Sequence, residues 1–522
     1  MKKDKHQRVG IIDVGSNTIR LVIFDIDSHY RIDEIQNIKT PARLVQYIND
    51  DIMSEKGIQQ LVRILSSYLK IAAHYHLDEL IPVATAAVRN SANHEEIVAC
   101  VKKATGLDLR ILSGKEEAFF GNYAVRHSVH VQNGLSVDIG GASTELTLYE
   151  NKKVVKSFSF PFGAVSLKQD FLTDKSHNDP TVIKQMKKMV RQAFQSKKWL
   201  KDAGIPLIGI GGSIRNIAEV HQLAHNYPLA GMHEYEMNAE QVKEVLNLFT
   251  GLSVKELKNL DGLSNDRVDT IIPATIVFEE LMKLTGSDRL IVSSQGLREG
   301  ILIHYLNSER PNTYALHHIK QQTAVRLSNQ YRLHEIAIQQ RLMIIEKLLD
   351  SLQKENLFSL SEQDSNLLFL GATLYYLGSY IENNSRSQHT FYILSNSNLI
   401  GFSHRERVCV ALIASYKNKT LFKQYMSHFV DWFSDQEEDT IMKMGCLVKF
   451  AEALNDSQVN PVEDLVLERT GDQSYQLQIT YSGEIIAEQY RASKQLNHFE
   501  RVVGSNVQLY FVDPQTDSMA KK

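Results

Sequence analysis

Two short segments of this chain combine an aspartate, a glycine turn and hydroxyl side chains in the same order. Asp13-Val-Gly-Ser-Asn-Thr18 lies between the apolar runs Val9 to Ile12 and Leu21 to Phe24; Asp138-Ile-Gly-Gly-Ala-Ser143 lies between Leu135 to Val137 and Leu146 to Tyr149. Laid over each other without a gap, Asp13 matches Asp138, Gly15 matches Gly140, Thr18 matches Ser143 and Leu21 matches Leu146. Glycine in such a turn permits positive φ and close approach of the backbone, while successive amides and a hydroxyl present donors to an anion. Ser16, Asn17 and Thr18 are the donors of the first loop. Those of the second are Gly141 and Ala142 through their amides and Ser143 and Thr144 through their hydroxyls. One such loop is also an ordinary hairpin turn, but two in register, each led by an aspartate, point to a cleft that grips phosphate from both sides.

Hydrolysis of a phosphoanhydride needs an in-line water, a group to orient or deprotonate it, and positive charge on the phosphoryl oxygens. Glu116-Glu117 opens an amphipathic helix running to Val125, with Ser113-Gly114 leading in. Adjacent helical residues point about 100° apart, so at most one of the two glutamates faces a cleft. The other suits a helix start, where negative charge meets the macrodipole. Arg89 closes Ala84-Thr-Ala-Ala-Val-Arg89 after a buried strand, and its guanidinium fork fits the phosphate chain that leaves. Asp138 and Glu145 bracket the second loop, and hard oxygen ligands beside a phosphate are what Mg²⁺ uses. Asp13, in the equivalent place of the first loop, is expected to join through water. Each aspartate also suits capping its own turn. Gly211-Gly212-Ser213 turns from the strand Leu207 to Ile210 into a helix from Ile214 to Val220, whose N-terminus is a third anion-friendly position. Arg215 is expected to face outward from it.

Strands and helices alternate around these residues. Strand signals at Val9 to Val14, Leu21 to Asp25 and Leu80 to Ala84 are separated by amphipathic stretches at Glu55 to His74 and His94 to Thr105, an α/β pattern. A second unit begins near Arg126, with strands at Leu135 to Asp138, Glu145 to Tyr149, Val154 to Phe160, Leu207 to Ile210 and Arg289 to Ser293. Its helices cover Pro180 to Lys201, Ala239 to Leu248 and Pro273 to Thr285. From about Pro311 the periodicity is helical, through His317 to Asn329, Leu333 to Lys354, Glu362 to Ser379, His404 to Lys417 and Glu438 to Leu454. Strands return at Glu463 to Arg469, Tyr475 to Tyr481 and Val507 to Val512. The expected domains are 1–125, 126–309, 310–458 and 459–522.

Seven segments carry a family resemblance. They are Asp13-Val-Gly-Ser-Asn-Thr-Ile-Arg20, Ala84-Thr-Ala-Ala-Val-Arg89, Ser113-Gly-Lys-Glu-Glu-Ala118, Asp138-Ile-Gly-Gly-Ala-Ser-Thr-Glu145, Pro161-Phe-Gly163, Gly209-Ile-Gly-Gly-Ser213 and Ser294-Gln-Gly-Leu-Arg-Glu-Gly300. In order and spacing they resemble the exopolyphosphatase and guanosine pentaphosphate phosphatase family, within the superfamily of actin, hexokinase and the heat-shock chaperone ATPases. The resemblance implies two actin-like (ribonuclease H-like) α/β lobes with an interlobe cleft. These are followed by an all-α domain resembling a degenerate His-Asp hydrolase fold and a small α+β C-terminal domain. It implies Glu117, directly before the small Ala118, as the catalytic glutamate beside Arg89, and Gly212, Ser213 and Arg267 as phosphate contacts. Arg298 also matches a position near the cleft; both arginines equally suit structural salt bridges. The family commonly has glycine where this chain has Ala142, which accepts fewer backbone conformations.

The implied activity is Mg²⁺-dependent, processive removal of terminal orthophosphate from inorganic polyphosphate, with a monovalent cation such as K⁺ as a stimulant and a homodimer as the assembly. Conversion of guanosine pentaphosphate to the tetraphosphate is the alternative, since both substrates would meet the same residues. A superfamily kinase would need an aspartate base and no Glu-Glu-Ala helix, and a nucleotide switch would need filament or peptide-binding surfaces. In the helical domain the metal-binding pair is replaced by Tyr375-Tyr376 and a further histidine position by Lys417, leaving His389 alone, so that metal site is expected to be lost. The basic helix Lys184 to Lys201, with Ile183, Met186, Val190 and Phe194 on its apolar face, suits tracking a long polyphosphate and also plain solvation. Arg469, Arg491, Lys494 and Arg501 in the tail fit substrate contact, dimer packing or surface charge.

The chain has 522 residues and a net charge of −3, too long for one core and without a global field that announces a nucleic-acid partner. Cys100, Cys409 and Cys446 are scattered and odd in number, which points to a reducing compartment. No run is long enough to cross a bilayer, and the basic Met1 to Arg8 is not followed by a signal-peptide stretch, so a cytoplasmic location is expected.

Overall fold

The apolar runs flanking Gly15 form β1 (Gln7–Val14) and β2 (Thr18–Ile26), antiparallel neighbours in which the Gly15 amide donates to the Thr18 carbonyl at 3.1 Å. This computed structural model describes residues 6–28, 30–316, 318–471 and 474–514; Met1 to Lys5 of the basic segment and His317 lie outside them. β3 (Ile32–Pro41) follows, then a ribbon of β4 (Ile48–Asn49) and β5 (Ile52–Met53), α1 (Glu55–His74), β6 (Glu79–Ala84), α2 (Ala86–Arg89), α3 (His94–Thr105), β7 (Arg110–Ile111) and α4 (Gly114–Arg126). The sheet order is β3-β2-β1-β6-β7, with β1, β6 and β7 parallel. α1 and α3 cover one face, where Leu61, Leu65, Ile97 and Val101 pack on Ile12, Val14 and Leu21 with no side chain left in water.

The second sheet repeats the first. β8 (Gly134–Ile139), β9 (Thr144–Glu150) and β10 (Lys153–Phe160) form an antiparallel meander, followed by α5 (Ala164–Leu172), α6 (Pro180–Gln195), β11 (Leu207–Ile210) and α7 (Gly212–Ala224). β12 (Glu236–Met237), α8 (Ala239–Gly251), α9 (Val254–Lys258), α10 (Ile271–Thr285), β13 (Leu290–Val292) and α11 (Leu297–Glu309) complete it. Its order, β10-β9-β8-β11-β13-β12, reproduces the first sheet neighbour for neighbour and sense for sense before the antiparallel edge β12. α10 is apolar on all sides because α5, α6, α7 and α8 surround it. Its two acids, Glu279 and Glu280, are buried against Lys187 (2.6 Å) and Arg191 (2.7 Å) of α6. Those two cations of the expected basic helix are therefore spent on packing, and the helix ends at Gln195 rather than Lys201.

Two helices cross between the lobes. α11 lies on the outer face of the first sheet, where Ile301, Leu302 and Leu306 pack with Val9, Ile11 and Phe24. α4 lies under the second sheet, where Val125 packs with Tyr149, Ile208 and Ile291. The helices meet where Gly300 faces the Phe120 carbonyl so closely that a Cβ would lie 1.9 Å from it. The helix that ends the second lobe thus completes the core of the first, and α4 is pinned against both.

A separate compact unit comprises Pro228–Gly231 and the chain from Lys320 onward. It contains α12 (Ile319–Gln330), α13 (Glu335–Lys354), α14 (Glu362–Thr373), α15 (Arg386–Asn396), α16 (His404–Ala414), α17 (Lys419–Met426) and α18 (Asp435–Ala453). A sheet of β14 (Val462–Gly471), β15 (Ser474–Tyr481) and β16 (Asn506–Val512) follows, with α19 (Ile486–Val503) as the crossover between its parallel strands. Tyr375 and Tyr376 are buried, stacked at 4.0 Å, and both hydroxyls donate to the Tyr416 carbonyl at 3.1 Å. Hydrogen-bonded phenols thus occupy positions 375 and 376 in the interior of this unit. No helix among the described residues is long and apolar enough to cross a membrane.

Candidate active site

The two glycine hairpins open into one cleft of about 590 Å³ between the sheets. In both the turn closes with the same bond, Gly140 donating to the Ser143 carbonyl at 2.9 Å as Gly15 does to Thr18. Strand register pairs Asp13 with Arg20 across the first hairpin and Asp138 with Glu145 across the second. Directly opposed residues on adjacent strands point to one face, so the repeat places an opposite-charge pair on one wall and a like-charge pair on the other. Burial pushes the Asp138 carboxyl up to about 7, and the charges of Glu117 and Asp13 push in the same direction. Glu145 is raised to about 8 by burial, Glu117 and Asp138, although Ser143 and Ser159 donate to it. Asp13 is raised by burial against the opposing pull of Arg298 and Arg20.

Glu117 reaches the cleft from the first turn of α4. That turn is fixed by a capping box: Ser113 accepts from the Glu116 amide while Glu116 accepts from the Ser113 amide at 2.9 Å. Glu116 also meets Arg110 at 2.5 Å, so it takes the helix-start role and Glu117 the cleft. Arg89 does not line the cleft. It stands behind Glu117, donating through Nη1 to Glu117 Oε2 at 2.8 Å and to the Leu112 carbonyl at 2.9 Å. The expectation that it meets the leaving chain is corrected: its Nη1 is committed to Glu117 and the Leu112 carbonyl. Burial raises the Glu117 pKa, and Arg89 holds it back.

Asp13, Ser16, Asn17, Thr18, Glu117, Asp138, Gly141, Ser143, Gly212 and Arg267 line the cleft. Thr144 does not: its side chain is fully buried and its hydroxyl donates to the Phe162 carbonyl at 2.8 Å. Ser213 is buried too, its Oγ accepting from Arg267 Nη1 at 3.0 Å, so it orients a cation instead of meeting an anion. Ala142 is exposed outside the lining, and Glu145 sits behind it, buried. Gly212 lets Arg267 lie across the start of α7, where a Cβ would fall 2.3 Å from Nη2. Arg215, expected to face outward, lines the cleft, its Nε held by the Gly211 carbonyl at 3.1 Å. Arg20, Lys39, Arg43, Lys168 and Arg298 join it. Arg20 was legible, since it lies two residues after Thr18 on one strand and shares its face. Lys39, Arg43 and Lys168 carry no local signal.

Family models match this arrangement over nearly the whole chain: the Ppx/GppA phosphatase family at residues 22–309 and its domain III at residues 319–498. The chain belongs to the Ppx/GppA phosphatase family. It is a hydrolase of that family. It is 26% identical to exopolyphosphatase 1 of Mycobacterium bovis over 325 residues, which cover 61% of this chain and 94% of that one. It is 28% identical over 307 residues to the bifunctional 3-dehydroquinate synthase/phosphatase of Fusobacterium nucleatum, covering 56% of this chain and 46% of the relative. The crystal structure of the Aquifex aeolicus Ppx/GppA family member superimposes with a TM-score of 0.53 at 26% identity, covering 59% of this chain and 99% of that one. The actin-like fold of the first 300 or so residues follows from that likeness.

The Ppx/GppA cleft has a donor set suited to a hard divalent cation. Two carboxylates held opposite each other, both raised by burial and by neighbouring carboxylates, are relieved by a cation beside their oxygens, and Mg²⁺ takes one or two carboxylates plus water and phosphate. A second pocket of about 450 Å³ lies within the helical unit, lined by Tyr376, Arg386, Lys417, Lys449 and Arg491. Burial brings the Lys449 pKa down to about 8 there.

Proposed function

We propose that this Ppx/GppA protein removes orthophosphate from the end of inorganic polyphosphate. The observation that carries the reading is the lining of the cleft: hydroxyls, glycine backbone and guanidiniums, and among the described residues no aromatic ring against which a purine would stack. Arg298 Nη1 is buried there with no protein hydrogen-bond partner, a donor suited to a phosphate oxygen. Arg20, Arg215 and Arg267 are all held below the usual guanidinium range by burial, and Arg298 repels the first two, so a polyanion finds concentrated positive charge. Free cysteines at positions 100, 409 and 446 fit a cytoplasmic enzyme.

In this reading the terminal phosphate lies between the loops, with Ser16, Asn17, Thr18 and Ser143 donating to its oxygens. Glu117 accepts a proton from water as the water oxygen bonds to the terminal phosphorus. The bond from that phosphorus to the bridging oxygen breaks, orthophosphate leaves, and the shortened chain keeps the bridging oxygen and its charge. Asp138 and Glu145 would hold Mg²⁺, which would supply charge neutralisation to the phosphoryl oxygens. Arg89 keeps Glu117 ionised and aimed. The test is orthophosphate release with Mg²⁺ from long-chain polyphosphate and from guanosine pentaphosphate. A higher kcat/KM for polyphosphate is expected. The reverse order would assign the cleft to the nucleotide, and silence with both would remove the catalytic reading.

A further inference from the structure

Away from the cleft, the C-terminal end of α7 carries His221 and His225, one helical turn apart, and α8 brings Glu244 beside them. Their ligand atoms all lie within 4.8 Å of one another. The imidazoles face each other with centroids 4.3 Å apart. His221 is 3% exposed; its Nδ1 is bound to the Tyr235 hydroxyl at 2.6 Å, and its Nε2 is buried with no protein partner. An orphaned, buried ring nitrogen costs stability unless something accepts it. His225 Nε2 and Glu244 Oε1 stand 3.2 Å apart. Zinc bonds of about 2.0–2.2 Å place neighbouring ligands roughly 3.3 Å apart in a tetrahedron, so this spacing is that of two ligands as well as of an ion pair.

We propose that His221, His225 and Glu244 form a Zn²⁺ site, with water in the fourth position. Two imidazoles and one carboxylate select a borderline-soft cation over the hard Mg²⁺. Tyr235 fixes the His221 ring so that Nε2 is the coordinating nitrogen, as ligand histidines ordinarily use their second nitrogen. Burial and neighbouring His225 keep His221 below its usual pKa, which favours the neutral, ligating form. The bound ion would join α7 to α8, and α7 begins at Gly212 in the cleft wall.

The test is titration of the chelator-stripped full chain with Zn²⁺ in excess Mg²⁺ by calorimetry, with Co²⁺ absorption as the geometric readout. One Zn²⁺ per chain is expected, with tetrahedral Co²⁺ bands. His225→Ala and Glu244→Gln change exposed side chains and keep the fold; each should weaken Zn²⁺ by at least about tenfold, since loss of even an orienting partner costs that much. Circular dichroism of both variants verifies folding. Equal Zn²⁺ affinity in wild type and both variants, or no binding to the wild type, would overturn the site.

Discussion

Asp138 lies directly opposite Glu145 in the β8/β9 ladder, half-buried at the cleft wall, while Glu145 is buried behind it. The equivalent pair in the first hairpin is Asp13 and Arg20, so a single exchange of charge at one position converts a duplicated hairpin from a self-neutralised wall into a cation-seeking one. The arrangement has a pH signature. Folded values of about 7 and 8 stand above the unfolded carboxylate range. The folded state therefore binds more protons than the unfolded one at pH values in between, and stability falls as pH rises. The metal-free protein should melt at progressively lower temperature from about pH 5 to about pH 8, and Mg²⁺ should restore more at the upper end. A flat profile without metal would show that these acids are not strained.

On the proposed mechanism, Glu117→Gln keeps the shape of the side chain and removes its proton affinity. Phosphate release should fall on the order of a hundredfold or more, with polyphosphate binding largely kept. Glu116→Gln preserves the capping pair in kind and should leave turnover within about twofold, because its carboxylate serves Ser113 and Arg110 outside the cleft.

Arg89→Met leaves Glu117 buried without its cation. Because Arg89 lowers the Glu117 pKa, its loss should move the acidic limb of the kcat profile to higher pH while KM changes little. A large rise in KM with an unmoved pH limb would instead place Arg89 on the substrate.

Gly163 packs on the second loop so tightly that a Cβ would lie 2.4 Å from the Gly140 carbonyl oxygen and 2.7 Å from the Gly141 carbonyl. Gly163→Ala must displace that loop. A stability loss of about 1–3 kcal/mol is expected in chemical denaturation, together with a loss of phosphate release larger than the unfolded fraction explains.

Thr144→Val tests the reassigned hydroxyl. Having lost only its bond to the Phe162 carbonyl, the variant should be about 1 kcal/mol less stable with KM unchanged. Ser143→Ala, in the cleft lining, should raise KM instead. The opposite pattern would return Thr144 to the phosphate.

Much of the fold was legible because it is local. Apolar runs broken by a glycine turn specify β1-β2 and β8-β9 wherever they occur, and α1 and α3 span the residues their periodicity marks, Glu55–His74 and His94–Thr105. The capping box at Ser113 spans only three residues and so fixes Glu116 locally, but the choice of Glu117 for the cleft came from the family resemblance and not from the helix itself. The helix α11 was not legible as part of the first lobe, since an apolar face does not say which distant sheet it covers. Side-chain allegiance was equally closed to inspection. Arg89 could serve substrate or base, Arg215 could turn in or out, and the hydroxyls of Thr144 and Ser213 could serve a ligand or the protein. Each choice is a competition between partners far apart in sequence, decided by whichever donor or acceptor folding brings within hydrogen-bond reach: Glu117 for Arg89, the Phe162 carbonyl for Thr144 and Arg267 for Ser213.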